Sequence, residues 1–300
     1  MATTNTVNSN YAGEAGKILT ASFKEGDTLG RGLVTVAPKV KYKLNLRKIQ
    51  TTDGRVDYTC GFTPAGAVVL SENVLTVKHI KDDFQVCKDT FRATWNGLDS
   101  EMMDGIKADK LADTAENLDY EIWNGNAATT GQIGGFIPQF TADDDVIKAN
   151  NGIVPAAAAI TKANVLSQFE LVSNAVPTSI KKKSDLVFAV SSNVAEAYSQ
   201  YLVANGIGAG FGGKELDMVY GRYKVEEIGG LPDNTIVVYR KTNLVFGTDE
   251  ENDANEVSVV DEDEIGLLSG QVRGKVAYFG GTGYYNSAEI VWYLSTETAD

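Results

Sequence analysis

From Lys39 to Arg47 polar and apolar residues alternate without a break. Val40, Tyr42, Leu44 and Leu46 fall on one face, and Lys39, Lys41, Lys43, Asn45 and Arg47 on the other. A period of two marks a half-buried strand. Asp53-Gly54 then offers a two-residue hairpin turn, and Arg55 to Thr59, with Val56 and Tyr58 in alternate positions, reads as the returning strand. Met1 to Gly30, ahead of this ribbon, is polar and shows no helical period of useful length. An irregular arm and a long ribbon at one end of a chain need apolar partners, and a neighbouring subunit would supply them. Val40, Tyr42, Leu44, Leu46, Val56 and Tyr58 are therefore the expected subunit-interface residues.

Beyond the ribbon, Ala67 to Leu70 and Val74 to Val77 suggest two short strands, and Asp82 to Trp95 is mixed in character. The best helix runs from about Asp99 to Asn124. Leu111, Ala115, Leu118 and Ile122 step by four, three and four along one face, and Met102, Met103 and Ile106 carry the stripe back. Asp99 or Ser100 suits its cap and Gly125 its end. At ~1.5 Å per residue such a helix is ~40 Å long, a structural strut.

Gln132 to Pro138 reads as a loop and Ala142 to Gly152 as a polar stretch. A second helix is expected after Thr161, carrying Val165, Leu166, Phe169 and Val172 and ended by Pro177. Asp185 to Val190, with Leu186, Val187, Phe188 and Ala189, is a short continuous apolar run of the kind found in a central strand. Ser192 or Asn193 then caps a third helix with Val194, Tyr198, Tyr201 and Leu202 inward, stopped by Gly206. This alternation between Ile153 and Arg240 indicates an α/β unit. Strands follow at Asn243–Gly247, Glu256–Val260, Gln271–Phe279 and Ala288–Leu294. The middle portion thus lies between two β-rich flanks that pair with each other, an α+β organisation.

Composition narrows the functional classes. The chain has 300 residues, 43% hydrophobic and 9% aromatic, enough for a folded core rather than a disordered chain. Forty acidic residues against 27 basic ones give a net charge of -13. That argues against a surface built to grip nucleic acid, which needs excess cations to neutralise phosphates. Cys60 and Cys87 are too few for a disulfide framework and read as two buried thiols in a reducing compartment. The sequence shows neither a secretory signal nor an apolar run of membrane-spanning length, so assembly in a cytoplasm is expected.

Candidate chemistry is sparse. His79 is the sole histidine, and the partners for a triad or a zinc site are missing. Gly206, Gly208, Gly210 and Gly212 follow a helix rather than a strand, so they suit a loop tip better than a phosphate cradle. The acidic runs Asp143–Asp145, Asp249–Asp253 and Asp261–Glu264 lack EF-hand spacing and read as solvated loops. Lys181-Lys182-Lys183 reads as a solvated approach to the following strand. No pattern singles out a pair among the acids for hydrolysis. Neither enzymatic activity nor a cofactor or metal is expected.

Several segments in series carry a resemblance. They are Lys39-Val-Lys-Tyr-Lys-Leu44, Phe84-Gln-Val-Cys-Lys-Asp89 running to Trp95, Glu121-Ile-Trp-Asn-Gly-Asn126, and Asn243-Leu-Val-Phe-Gly-Thr-Asp-Glu-Glu-Asn-Asp253. Together, over residues 38 to 293, the chain resembles major capsid proteins of tailed bacteriophages with the Hong Kong 97-like fold. More narrowly, it resembles those of crAss-like and related phages of Bacteroidetes. The resemblance implies an N-terminal arm (1–38), an extended β-hairpin loop region (39–80) and a peripheral domain with a spine helix (81–131). An axial domain (132–242) and a return to the peripheral domain (243–300) complete it.

The implied function is self-assembly through pentamers and hexamers into an icosahedral virion shell around double-stranded DNA that is faced but not specifically bound. Portal, scaffold and decoration proteins are the implied further partners, and Gly206 to Gly212 would sit at the centre of each capsomer. Many relatives begin with a helical scaffolding segment. None is visible here, so a separate scaffold or a mature chain is expected. An encapsulin-like compartment shares the fold and would need a cargo-peptide pocket on its inner face. A tail-tube or adaptor ring subunit would form rings or tubes instead, and a hydrolase with dispersed carboxylates would remain a monomer.

Overall fold

The computed structural model describes residues 27–58, 60–61, 65–88, 100–149, 159–206, 218–249, 256–263, 265–267 and 269–294. In chain order, a helical turn α1 (Asp27–Gly30) and strand β1 (Thr35–Ala37) precede β2 (Lys43–Thr51), β3 (Val68–Thr76) and β4 (Lys78–Cys87). Then come α2 (Ser100–Asn124), α3 (Phe136–Ala142), β5 (Ile147–Lys148), α4 (Val165–Ala175), β6 (Leu186–Val190) and α5 (Ser192–Ala204). The chain continues through β7 (Val219–Tyr220), β8 (Tyr223–Glu227), β9 (Thr235–Arg240), β10 (Leu244–Gly247), β11 (Glu256–Asp261), β12 (Gln271–Tyr284) and β13 (Val291–Leu294).

Six strands form one mixed sheet in the order β5-β13-β9-β6-β8-β7. Its central strands are apolar on both faces because both faces are covered. Phe188, Ile236, Val238, Val291 and Tyr293 point to a cluster with Val165, Phe169 and Val172 of α4 and Val194, Tyr198 and Leu202 of α5. The intervening residues Val187, Ala189, Val237, Tyr239 and Trp292 point the other way, into a cluster with α2 and α3. β6 and β8 are parallel and joined through α5, which is the expected α/β unit.

The second sheet is built on β12, fourteen residues long. β4 pairs along one side of its first part, β11 and then β10 pair along the other side, and β1 adds beside β10. The flanks on either side of the α/β region therefore do pair. The long helix α2 ties the two sheets together. Its buried face of Leu111, Ala115, Leu118 and Ile122 belongs to one cluster with Ile80, Val276 and Tyr278 of the second sheet and Val237 and Tyr239 of the first. Residues 28–34 pack on the same helix: the Thr28 N–H donates to Asp119 Oδ1 (2.9 Å) and Trp123 Nε1 donates to Thr28 Oγ1 (2.9 Å).

Several expectations change. The ribbon strand starts at Lys43, not Lys39, because Lys39 takes a left-handed conformation (φ 69°) that turns the chain and sends Val40 into the body. Its partner is Val68–Thr76, in register Thr51 opposite Val68 and Lys43 opposite Thr76, rather than Arg55 to Thr59. Asp53-Gly54 is not a two-residue turn. Asp53 instead accepts the Arg55 N–H (3.0 Å), a local Asx interaction, and Thr52 and Ala67 close the base of a longer excursion. The two short strands expected between Ala67 and Val77 are one strand. Phe136 to Ala142, which includes part of the expected loop, is helical, with Pro138 tolerated in its first turn. Cys60 and Cys87 are free and exposed, not buried.

Candidate assembly surface

β2 and β3 form a two-stranded ribbon with no third strand beside it among the described residues. Residues directly opposite in an antiparallel pair share a face. Leu44, Leu46 and Lys48 therefore lie with Leu75, Asn73 and Ser71 on one face, and Asn45, Arg47, Ile49 and Thr51 with Val74, Glu72, Leu70 and Val68 on the other.

The first face is fastened to its own chain. Leu46 and Leu75 are fully buried in a small cluster with Val40, Val77 and Val245. Glycines in β12 make the approach possible: a Cβ at Gly281 would collide with the Thr76 carbonyl, and one at Gly283 would lie 3.0 Å from the Leu75 Cβ. Polar ties extend the hold, from Lys48 Nζ to Asn286 Oδ1 (2.6 Å) and from Asn73 Nδ2 to the Tyr284 carbonyl (3.1 Å).

The second face is bare. Val68, Leu70 and Ile49 are 69%, 62% and 68% exposed, and Val74 joins them beyond an Arg47–Glu72 ion pair (3.5 Å). Toward the tip, Val69, which lies opposite Gln50 on the first face, and Val56 and Tyr58 of the excursion add exposed apolar surface, with Tyr58 98% exposed. At ~25 cal/mol per Å2 of apolar area, covering such residues is a substantial driving force for association.

The expected interface residues thus divide. Tyr42, Val56 and Tyr58 are exposed, Leu44 is half-buried, and Val40 and Leu46 are covered by their own chain. The alternation in Lys39–Arg47 did not signal Ile49, Val68, Leu70 and Val74, because their stripe appears only once the β2–β3 register is known. Of the loop-tip glycines, Gly206 ends α5 in the left-handed region (φ 68°), and Gly208, Gly210 and Gly212 lie outside the described residues.

The other candidates have structural surroundings. His79 stacks on Phe279, its cross-strand partner, with ring centroids 4.4 Å apart. Asp143 accepts from Tyr284 OH (2.7 Å), and burial together with that bond pushes the tyrosine well above its usual range. Asp261 and Asp263 hold Lys88 at 2.5 and 2.8 Å, and those hydrogen bonds raise the lysine. The Lys181 carbonyl accepts from Tyr223 OH (3.1 Å). No group of three or more metal-binding side chains gathers among the described residues, and no helix there is long and apolar enough to cross a membrane.

A sheet pair bridged by a long helix, an α/β layer and a projecting ribbon define the class: this is the Hong Kong 97-like capsid fold. Solved structures carry the comparison further. The satellite phage P4 procapsid, which includes size determination (Sid) protein, is similar at TM-score 0.58 and 13% identity, over 93% of this chain and 98% of that one. The capsid of a native GTA particle is similar at 0.64 and 13%, over 89% of each chain. Mycobacterium phage Bobi is similar at 0.60 and 11%, over 90% of each. No protein-family model matches the sequence, and no curated protein does.

Proposed function

We propose that this chain is the repeating subunit of a bacteriophage capsid, a structural protein whose activity is to close, in many copies, into an icosahedral shell. The likeness to capsid shells over at least 89% of the chain carries this reading. The bare ribbon face supports it independently, since it is built for a partner rather than for solvent. Pentamers and hexamers enclosing double-stranded DNA, with portal, scaffold and decoration proteins as partners, are the finer form of the proposal. So are the division into arm (1–38), hairpin region (39–80), peripheral (81–131 and 243–300) and axial (132–242) parts, and the Gly206–Gly212 loop at a capsomer centre. A net charge of -13 suits a wall along which DNA slides, because a strongly basic lining would hold it through counterion release.

Negative-stain electron microscopy and light scattering of the expressed chain, alone and with its scaffold, test the proposal. Closed shells are expected. A monodisperse monomer under both conditions, with its 43–76 ribbon resistant to protease, overturns it. A phage capsid is preferred to an encapsulin-like compartment because the shells similar at higher TM-scores, 0.58 to 0.64, come from phages and a GTA particle, while a virus-like particle from Pyrococcus furiosus is similar at 0.51.

A further inference from the structure

Lys78 opens β4, two residues beyond the end of the ribbon strand β3. Its Nζ donates to three main-chain carbonyls of one short loop, those of Ala127 (2.9 Å), Thr129 (3.1 Å) and Gln132 (2.8 Å). A lysine ammonium has three N–H donors and no acceptor, so each donor has its own oxygen and the set is complete. The loop closes on itself around that point. At its base the Gly135 N–H donates to the Gly125 carbonyl (2.6 Å), where a Cβ on either glycine would collide with backbone. Within it, Asn126 Oδ1 accepts the Ala128 N–H (2.9 Å) and Gln132 Oε1 accepts the Asn126 N–H (3.1 Å). Residues 126–131 are all exposed. Ile133, by contrast, is fully buried, and its N–H donates to Glu121 Oε2 (3.2 Å) in the last turn of α2.

Turning three carbonyl oxygens toward one point sets like partial charges against each other, and a cation at that point offsets the repulsion. Rings of backbone carbonyls replace the hydration shell of a potassium ion in this way. From Gly125 to Ala142 the sequence has no charged side chain, so the loop brings no cation of its own. Lys78 supplies one from across the fold, through charge-assisted hydrogen bonds that are roughly twice as strong as neutral ones. Glu121 supplies the opposite charge nearby. Burial pushes its carboxyl up, while the Ile133 N–H and the Lys78 ammonium draw it back.

We infer that residues 126–132 form a cradle for a primary ammonium group, which Lys78 fills, latching the loop beyond α2 to the root of the ribbon. The latch works in both directions, because coupling between two sites is reciprocal. Withdrawing the ammonium frees the loop, and a freed loop loosens the ribbon root, where the Val77 N–H donates to the Tyr42 carbonyl (2.9 Å). The latch is a property of the single chain and stands apart from the shell reading.

Hydrogen exchange of the full chain, read by mass spectrometry, tests the latch with two variants. Lys78→Met keeps most of the side-chain stem and removes the charge, and Lys78→Gly empties the cradle. In tetramethylammonium chloride, whose cation has no N–H, exchange in residues 125–135 is expected to rise about tenfold in both variants, and in residues 74–78 about threefold. Methylammonium chloride at the same concentration should return Lys78→Gly most of the way to wild type and leave Lys78→Met unchanged. Wild-type exchange in residues 125–135 of Lys78→Met, or equal exchange of Lys78→Gly in the two salts, overturns the cradle. A rise confined to residues 125–135 overturns the latch. The wild-type protein gives a second reading that needs no variant to fold. With an excess of an N-hydroxysuccinimide ester, Lys78 should be acylated about tenfold more slowly in the native chain than in urea. Equal rates overturn the cradle.

Discussion

Leu186 to Val190 and Val68 to Leu70 are both unbroken apolar runs on β-strands, and they meet opposite fates. Every residue of the first is buried, with α4 and α5 on one face and α2 and α3 on the other. Every residue of the second is exposed. The difference does not lie in the run. It lies in whether the chain supplies layers to cover it: helices flank β6 in sequence, while the excursion before β3 holds no helix among the described residues. An apolar run states that a surface wants cover; the topology around it states whether that cover comes from the same chain.

Substitutions sharpen this contrast, beginning with the largest effect on folding. Phe188 meets Phe169 edge-on at 6.3 Å and stacks on Tyr223 at 5.0 Å. Phe188→Ala is expected to cost about 3–5 kcal/mol, the transfer and cavity terms of a core aromatic, seen as a large drop in the urea midpoint. The seam between body and ribbon is intermediate. Gly281→Val places a side chain against the Thr76 backbone, so the ribbon base must shift, at about 1–3 kcal/mol in the same assay. Protease cleavage within 43–76 should rise in that variant and not in Phe188→Ala under native conditions.

A smaller effect tests the polar girdle of the α/β layer. Arg240 Nε donates to both Asp185 oxygens (3.0 and 3.1 Å), and its Nη1 donates to Glu289 (3.2 Å). Burial pushes the Asp185 carboxyl up, but hydrogen bonds from Arg240 and Thr242 outweigh it and hold the group below its ordinary value. A lowered carboxylate contributes stability that is present above its unfolded pKa and lost as pH falls through the folded one. With solvent reaching both partners, Arg240→Met should cost about 1–2 kcal/mol at neutral pH. The gap between variant and wild type should close below about pH 4. An unchanged gap in urea melts from pH 7 to pH 3 would assign the loss to packing of the side chain instead.

How far the sequence disclosed this molecule depended on the range of the interactions involved. α2, α5 and β6 are legible because one periodic stripe or one solid run decides each. α3 is not, since Gly134-Gly135 and Pro138 signal a loop although proline suits a first helical turn. The ribbon was legible as a ribbon but not in register. Asp53-Gly54 met the local rule for a turn, yet the long-range match that buries Leu46 and Leu75 on β12 pairs Thr51 with Val68. Register is a property of two strands and the floor beneath them. For the same reason Val40 and Leu46 were expected at a subunit interface beside Tyr42, and only the fold distinguishes those its own chain covers from those it leaves bare.

The smallest expected effect on folding belongs to the ribbon face. Leu70 is exposed and contributes nothing to the three buried clusters. Leu70→Asp should therefore alter subunit stability by no more than about 0.5 kcal/mol, as other surface changes do. On the shell reading, the same substitution puts a charge into the apolar stripe that a neighbour must cover, and desolvating an unpaired carboxylate there opposes association. Particle yield in light scattering should collapse while the urea curve stays in place. Leu46→Asp, one strand away on the fastened face, should do the opposite and shift the urea curve first. Were Leu70→Asp to unfold the subunit as Leu46→Asp does, the outer face would already be covered by its own chain, and the contrast with β6 would disappear.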